Sequence, residues 1–271
     1  MRQQVQAEIE IRNLQTIKEL EEVRQLETIV WSFEDSIAVN QTITVVKNGG
    51  FILGAYIKNQ LIGFQYSFPG FDGNKVYLCS HSLGIHPEYR KYGIGERLKW
   101  AQKALANEKD YDLITWTYDP LETVNGNLNL HKLGAICKTY MEDAYGEMDD
   151  GLNSGIATDR FLVEWPVDVE KKTAERKQYT GEQKKVIKTA QIDRLLVPEK
   201  WDLTLEDHYL FVPVPGNFQE IKQRDLSLAI SWRNCTREVF TKYLANGWVV
   251  NDLVKDDRTT NQYLYVLEKR V

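Results

Sequence analysis

Between residues 83 and 98 the chain reads Leu83-Gly84-Ile85-His86-Pro87-Glu88-Tyr89-Arg90-Lys91-Tyr92-Gly93-Ile94-Gly95-Glu96-Arg97-Leu98. The pattern is an apolar strand, a polar turn and a helix start punctuated by glycines. Such a segment suits the binding of a phosphate or pyrophosphate. The first turn of a helix has free backbone N–H groups and a partial positive charge. Gly93 and Gly95 have no side chain to hold an anion away from that backbone. Arg90, Lys91, Arg97 and Lys99 add positive charge to an otherwise acidic part of the chain. Other phosphate motifs fit less well. No Gly-Lys-Ser/Thr follows, as a P-loop needs. A dinucleotide fingerprint would want a small residue where Leu98 stands and glycines directly after the strand. The competing structural reading is a helix start whose glycines serve tight packing.

The elements that would position this segment are legible on both sides. Residues 8–12 alternate polar and apolar and read as a short strand. Asn13 then opens a helix reaching about Trp31, with Ile17, Leu20, Val23 and Val30 at helical spacing. Gly49-Gly50 marks a turn. Phe51–Ile57 and residues 61–68 are apolar runs joined by Lys58-Asn59-Gln60, which predicts a β-hairpin. After a loop rich in Pro, Gly and Asn, residues 75–85 are a third long strand. The helix from Gly93-Ile94 carries Ile94, Leu98, Ala101 and Leu105 on one face. A short strand over 113–117 runs into Asp119-Pro120, and a helix over 124–133 closes at Gly134. Residues 135–140 and 160–165 read as two further strands around a loop rich in Gly, Asp and Asn.

Residues 168–190 differ in kind. They hold Lys171, Lys172, Arg176, Lys177, Lys184, Lys185 and Lys188 against one aromatic, Tyr179. Such a stretch buries too little apolar surface to offset its ordering entropy, so it reads as a basic linker. Beyond it come a strand over 209–214, a helical stretch over 218–245 broken near Asp225, Gly247, and strands over 248–254 and 262–268. The expected organisation is a first domain over 1–167, a linker over 168–190 and an α+β extension over 191–271. The extension is small for independent stability and is expected to pack on the first domain.

With 42% hydrophobic and 27% charged residues over 271 positions, the composition is that of an ordinary globular protein. No apolar stretch approaches the ~20 residues of a membrane span. The start, Met1-Arg2-Gln3-Gln4, lacks the apolar core of a signal peptide. Cys79, Cys137 and Cys235 have neither metal nor redox spacing, so reduced thiols, no metal and a cytoplasmic setting are expected. The net charge is −5, with 16 Lys+Arg against 23 Asp+Glu through residue 166 and 18 against 16 beyond it. Neither part is basic enough to make nucleic acid the expected partner, and the basic stretch lacks interleaved aromatics. No membrane partner is expected either.

In this setting, Arg90-x-x-Gly93-x-Gly95 after a strand and His86-Pro87-Glu88-Tyr89 resembles the acetyl-CoA signature of the GNAT superfamily of N-acetyltransferases. The order of elements over residues 8–166 is similar too. Four further segments are Ser80-His81-Ser82-Leu83-Gly84, Trp116-Thr117-Tyr118-Asp119-Pro120-Leu121, Asn129-Leu130-His131-Lys132-Leu133-Gly134-Ala135 and Ser154-Gly155-Ile156-Ala157-Thr158-Asp159-Arg160. They are similar to a bacterial and archaeal branch of GNAT acetyltransferases with unassigned acceptor. Members of that branch carry a C-terminal extension similar to the one from Ala229-Ile230-Ser231-Trp232-Arg233 onward. The resemblance implies an α+β fold with a mixed sheet, the GNAT-like acyl-CoA N-acyltransferase fold, followed by the small extension.

It also implies a cofactor and residue roles. The cofactor is acetyl-CoA (CoA). The backbone at Leu83, Gly84 and Ile85 would bond the pantetheine arm where the long strand diverges from its neighbour. Amides across Arg90, Lys91, Tyr92, Gly93, Ile94 and Gly95 would cradle the pyrophosphate, and Asn129 is carried over as a further cofactor contact. The implied reaction moves an acetyl group from acetyl-CoA to an amine by direct attack on the thioester. The attacking amine must be neutral, so a base takes its proton. His81 shares side-chain parity with Leu83 if no bulge intervenes, and imidazole titrates near neutral pH; a hydrogen-bonded structural histidine is the alternative. Asp119 is a second candidate, although Asp-Pro also makes an ordinary turn. Many GNAT enzymes place a tyrosine acid four residues before the glycine that ends the helix. Here that position is Leu130, which cannot donate a proton. Tyr118 joins His81 and Asp119 in the expected catalytic set, with Tyr140 and Tyr145 as alternatives.

Two functions follow. One is a GNAT-type N-acetyltransferase acting on a small-molecule amine or a protein or peptide amine. The other is a catalytically silent acyl-CoA-binding or sensor module, which Leu130 and the appended extension favour. The extension is expected to form part of the acceptor site or the surface of a homodimer. Tyr243-Leu244-Ala245-Asn246-Gly247-Trp248 echoes residues 130–135, but glycine-capped helices are common, so no internal repeat is expected.

Overall fold

A computed structural model describes residues 8–148, 151–168, 179 and 184–270. Most of the expected linker over 168–190 lies outside the described residues. The described chain divides into two compact units. The first comprises 8–116 with 166–168, and the second the described parts of 117–165 and of the chain from 179 onward. The break therefore falls after Trp116, inside the stretch expected to be one domain.

The first unit is built on strands β1 (Glu10–Leu14), β2 (Phe51–Ile57), β3 (Gln60–Phe71), β4 (Val76–Ile85) and the start of β5 (Leu113–Tyr118), in that spatial order. Neighbours are antiparallel except β4 and β5, which run parallel, so the sheet is mixed. Helix α1 (Ile17–Val30) starts at a capping box: Thr16 Oγ1 accepts from the Glu19 N–H (3.3 Å), and Glu19 accepts from the Thr16 N–H (2.9 Å). Asn13, the expected opening, ends up inside β1. Leu20, Val23 and Leu26 of α1 form a core with Leu14, Ile52, Tyr56, Phe64 and Tyr66. The β2–β3 turn places Lys58 and Asn59 at φ +47° and +67°, the double left-handed turn that matches strand twist. Helix α2 (Val39–Lys47) was not expected. Six of its nine residues are β-branched, which lowers helix propensity; it is held by Ile43, Val45 and Val46 against the α1 core. Helix α3 spans Ile94–Glu108.

In the second unit a short helix α4 (Thr123–Gly126) continues into a π-helical turn over Asn127–Lys132, where the Leu133 N–H donates to Leu128 O at 3.0 Å. Strands β6 (Ile136–Met141), β7 (Arg160–Pro166), β10 (Tyr209–Pro215), β11 (Trp248–Lys255) and β12 (Gln262–Lys269) lie in the order β7-β6-β11-β12-β10. Strands β8 (Ile187–Ile192) and β9 (Leu195–Trp201) pair as a separate antiparallel hairpin. Neither was expected, and β8 begins inside the stretch read as linker. Its root is fixed by Lys185, which donates to buried Asp256 at 2.6 Å. Asp225 ends helix α5 (Phe218–Arg224) and caps helix α6 (Leu226–Ala245), its side chain accepting from the Leu228 N–H at 3.0 Å. The break read at that residue is therefore a cap. α6 buries Trp232 and Phe240, and Phe240 meets Phe161 and Tyr265 edge to face.

Candidate active site

Strand β4 pairs with β5 at only two positions, Leu78↔Ile114 and Cys79↔Thr115. From Ser80 to Ile85 its register is with β3 alone, so the β5-facing edge of that stretch offers backbone groups to an extended ligand. The β3 ladder steps from Tyr66↔Ser82 to Ser67↔Ser80. His81 is thus the extra residue of a bulge, and the simple parity with Leu83 does not hold. Its ring stands edge-on to Tyr66 (5.5 Å between centroids) and tilted on Phe68 (5.6 Å). The residue is exposed, but desolvation by the rings packed beside it lowers the imidazole pKa below its ordinary 6.5, so the ring is mostly neutral at pH 7 and able to accept a proton.

Beyond β4, His86 caps a single 3-10 turn over Pro87–Tyr89. Lys91 and Gly93 then take φ values of +72° and +77°. Gly93 is the N-cap of α3, and the first N–H bonded back into the helix is that of Arg97, to Gly93 O at 3.2 Å. The amides of Ile94, Gly95 and Glu96 head the helix at its positive end. Leu83, Gly84, Ile85, Arg90, Lys91, Tyr92, Gly93, Ile94 and Gly95 all fall in this one unit.

Two buried ionisable groups lie nearby: Lys99, expected as added positive charge at the cofactor loop but buried instead, and a second that sequence reading missed. Lys99 of α3 is 2% exposed. Its Nζ donates to Ser80 Oγ (2.9 Å) and sits 3.3 Å from the centre of the Trp116 ring; burial holds its pKa well below the lysine range. Ser80 also accepts from Gln65, Gln65 accepts from Ser67, and Ser67 accepts from Gln102. The bulge residue's neighbour is thereby fixed by a buried polar chain. The second group is Glu27, also 2% exposed. With Leu20, Val23 and Val30 it occupies the apolar stripe of α1, and a charge in that stripe was the signal that could have revealed it. Its carboxylate accepts from the Ile37 N–H at 3.0 Å, and desolvation raises its pKa above 4.5. The folded state then holds its proton more tightly than the unfolded chain, so ionisation costs stability as pH rises through the folded pKa. Glu27→Gln is expected to melt above the parent at pH 7 and to converge with it below about pH 4.5; thermal melts from pH 4 to 8 check this, and coincident curves at pH 7 would refute it.

Residues 15–135 match the model of the acetyltransferase (GNAT) family. This stretch is a GNAT acetyltransferase domain. Three solved structures resemble the chain at low identity. The ribosomal-protein-S18-alanine N-acetyltransferase from Escherichia coli is 13% identical, with a TM-score of 0.48 over 61% of this chain and 97% of that one. The Salmonella typhimurium protein yncA, solved with its cofactor acetyl-CoA, is 14% identical, with a TM-score of 0.48 over 60% and 96%. An N-acetyltransferase from Staphylococcus aureus is 15% identical, with a TM-score of 0.48 over 59% and 98%. No curated protein matches the chain in sequence.

The GNAT domain ends inside the second unit, which holds Tyr118, Asp119 and Asn129. Tyr118 is buried; its hydroxyl donates to Tyr265 (3.4 Å), which donates to Pro120 O (2.7 Å). Burial raises its pKa well above 10. The hydroxyl is a core group here, which argues against its expected role as acid. Asp119 is gripped by both terminal nitrogens of buried Arg233, with Nη1–Oδ1 at 2.8 Å, and accepts from the Leu121 N–H at 2.8 Å. A carboxylate held this way is committed to the ion pair, which argues against Asp119 as a base. Asn129 is buried in the π-helical turn, its carbonyl accepting from the Ala135 N–H. Leu130 is buried and apolar. Tyr140 donates to Asp159 at 2.6 Å, and Tyr145 shares a hydrogen bond with Thr117. Cys79 is half-buried, with a thiol pKa raised by desolvation. Among the described residues no helix is long and apolar enough to cross a membrane, and no group of three His, Cys, Asp or Glu could hold a metal.

Proposed function

We propose that the chain transfers an acetyl group from acetyl-CoA to an amine, on a small molecule or a peptide, by direct attack on the thioester. One observation carries the reading: a single unit holds both the open edge of β4 beyond Cys79 and the glycine-turned start of α3. The residues fit the cofactor. A Cβ at position 93 would be strained at its φ of +77°, and glycine there leaves the helix-start amides approachable. The β4 backbone at Leu83 and Ile85 would hold the pantetheine amides as an added strand would. Arg90 and Lys91 would neutralise the phosphates. When bound, acetyl-CoA supplies an acetyl group activated as a thioester.

His81 is the base of this proposal. Its neutral ring, positioned by the bulge and by Tyr66 and Phe68, takes the proton of the acceptor ammonium so that the free amine can attack. Holding the amine and the β4-bound thioester in register supplies much of the rate. Calorimetry with the full chain tests the cofactor assignment. CoA should bind, and Gly93→Glu should weaken binding at least tenfold, because the new side chain is strained and its carboxylate repels phosphate. Equal affinity in the variant would overturn the reading. Leu130 in the usual tyrosine position favours a second reading, a silent acyl-CoA-binding module. Thiol release from acetyl-CoA with any amine of a panel would exclude it.

A further inference from the structure

We infer that residues 209–269 are a second, reduced copy of the strand–helix–strand–strand arm at residues 113–166, and that this copy fills the sheet edge where a second molecule of the chain would otherwise add its own arm. The two stretches share their order of elements. Strand β5, α4 with its π-helical turn, Gly134, β6 and β7 are matched by β10, α5 with α6, Gly247, β11 and β12. Gly134 and Gly247 stand at φ +70° and +81°, the first separated from β6 by Ala135 alone and the second directly before β11. In both copies the two strands after the glycine are antiparallel neighbours.

The register is more specific than the order. The shift that carries Gly134 onto Gly247 carries Cys137 onto Val250 and Lys138 onto Asn251. Cys137 and Val250 are paired with each other, antiparallel, where β6 meets β11. Lys138 and Asn251 are each the skipped residue of a bulge: the β6–β7 register jumps from Cys137 to Thr139, and the β11–β12 register from Val250 to Asp252. Equivalent residues facing each other across an antiparallel pair, with equivalent bulges next to them, are what a local two-fold axis at that pair produces. It is the isologous contact of a symmetric dimer, made here within one chain. The order β7-β6-β11-β12 reads the same from either end. Little sequence is shared, since of residues 133–140 and 246–253 only the glycines coincide. The expectation of no internal repeat is therefore overturned by topology and register, not by sequence identity.

The second copy has no cofactor arm. Between β4 and β5 lie residues 86–112, with the turn and α3; between β9 and β10 lie only residues 202–208, too few for a helix with a phosphate-binding start. The shift also carries Leu130 onto Tyr243. Tyr243 is buried, and its hydroxyl donates to the carbonyls of Asp202 (3.4 Å) and Leu205 (3.2 Å), so the tyrosine serves packing. An open strand edge invites another chain; with β11 on β6, that invitation is already answered.

Sedimentation velocity of the full chain, from about 1 to 100 μM, tests the inference without depending on acetyl transfer. A single species at 31.5 kDa is expected throughout, with amide exchange at residues 137 and 250 equally slow at both ends of the range. A species of twice that mass whose formation slows those amides would overturn the inference. Tyr243→Phe separates the copies: turnover and its pH profile should match the parent. A lost pH limb, or a second CoA site per chain by calorimetry, would show that the second copy still works and overturn its reduced status.

Discussion

Replacing Arg233 by Leu will destabilise the protein by about 3–5 kcal/mol, the usual cost of stripping one partner from a buried ion pair. That is a large part of the ~5–15 kcal/mol available to a folded domain. Arg233 is 1% exposed and donates from both terminal nitrogens to Asp119. The other guanidinium near that carboxylate, Arg160, stands 3.7 Å away. Without Arg233, the Asp119 carboxylate is left in a water-poor site with only the Leu121 N–H and the more distant Arg160 to answer it among the described contacts. The double variant Asp119→Leu, Arg233→Leu removes both charges and should recover most of the loss, because such pairs contribute little net once both members are replaced by apolar groups. Urea unfolding of the parent, both single variants and the double variant gives the coupling directly. A single-variant loss under 1 kcal/mol would refute the assignment. Activity adds a second discriminant: Asp119→Asn should lower stability more than it lowers turnover per folded molecule, the reverse of what a general base would do.

Some of this architecture was readable from the sequence because it is local. Gly93 and Gly95 at a helix start, the Lys58-Asn59 turn, and Asp225 between two helical stretches each state their geometry within a few residues. Other features depend on distant partners. Helix α2 is rich in β-branched residues and is helical only because α1 gives it a surface. Strand β8 emerges from a lysine-rich stretch because Lys184 and Lys185 find Asp207 and Asp256. A parity argument cannot see the bulge at His81, since an inserted residue is visible only once the opposite strand is in register. Asp119 was legible as a candidate base because of its place after a strand. Its actual partner, Arg233, lies 114 residues away, beyond any spacing rule. The repeat is the least visible feature: its glycine stands in the sequence, but the equivalence of Cys137 and Val250 exists only in the pairing of β6 with β11.

His81→Ala is expected to lower kcat by about 10²–10⁴-fold, the range for loss of a general base, with little change in CoA affinity. The imidazole stands at the β4 bulge and makes no ion pair among the described contacts; its neighbours are the rings of Tyr66 and Phe68. Although the residue is exposed, desolvation by those rings shifts its pKa below 6.5, which sets the direction of the pH profile. Below that pKa the ring is protonated and cannot accept the acceptor's proton, so kcat climbs on an acid limb centred under pH 6.5 and is flat through neutrality. The direction matters, because a histidine paired with a carboxylate would move the limb the other way. In His81→Ala the limb should vanish along with most of the rate. A structural histidine would behave differently: its loss would lower the melting temperature and leave the limb in place on the residual activity. Tyr66→Leu offers an independent check, since opening the ring's surroundings to water should return the limb toward 6.5 while His81 remains. A kcat within threefold of the parent in His81→Ala would remove the base from this site.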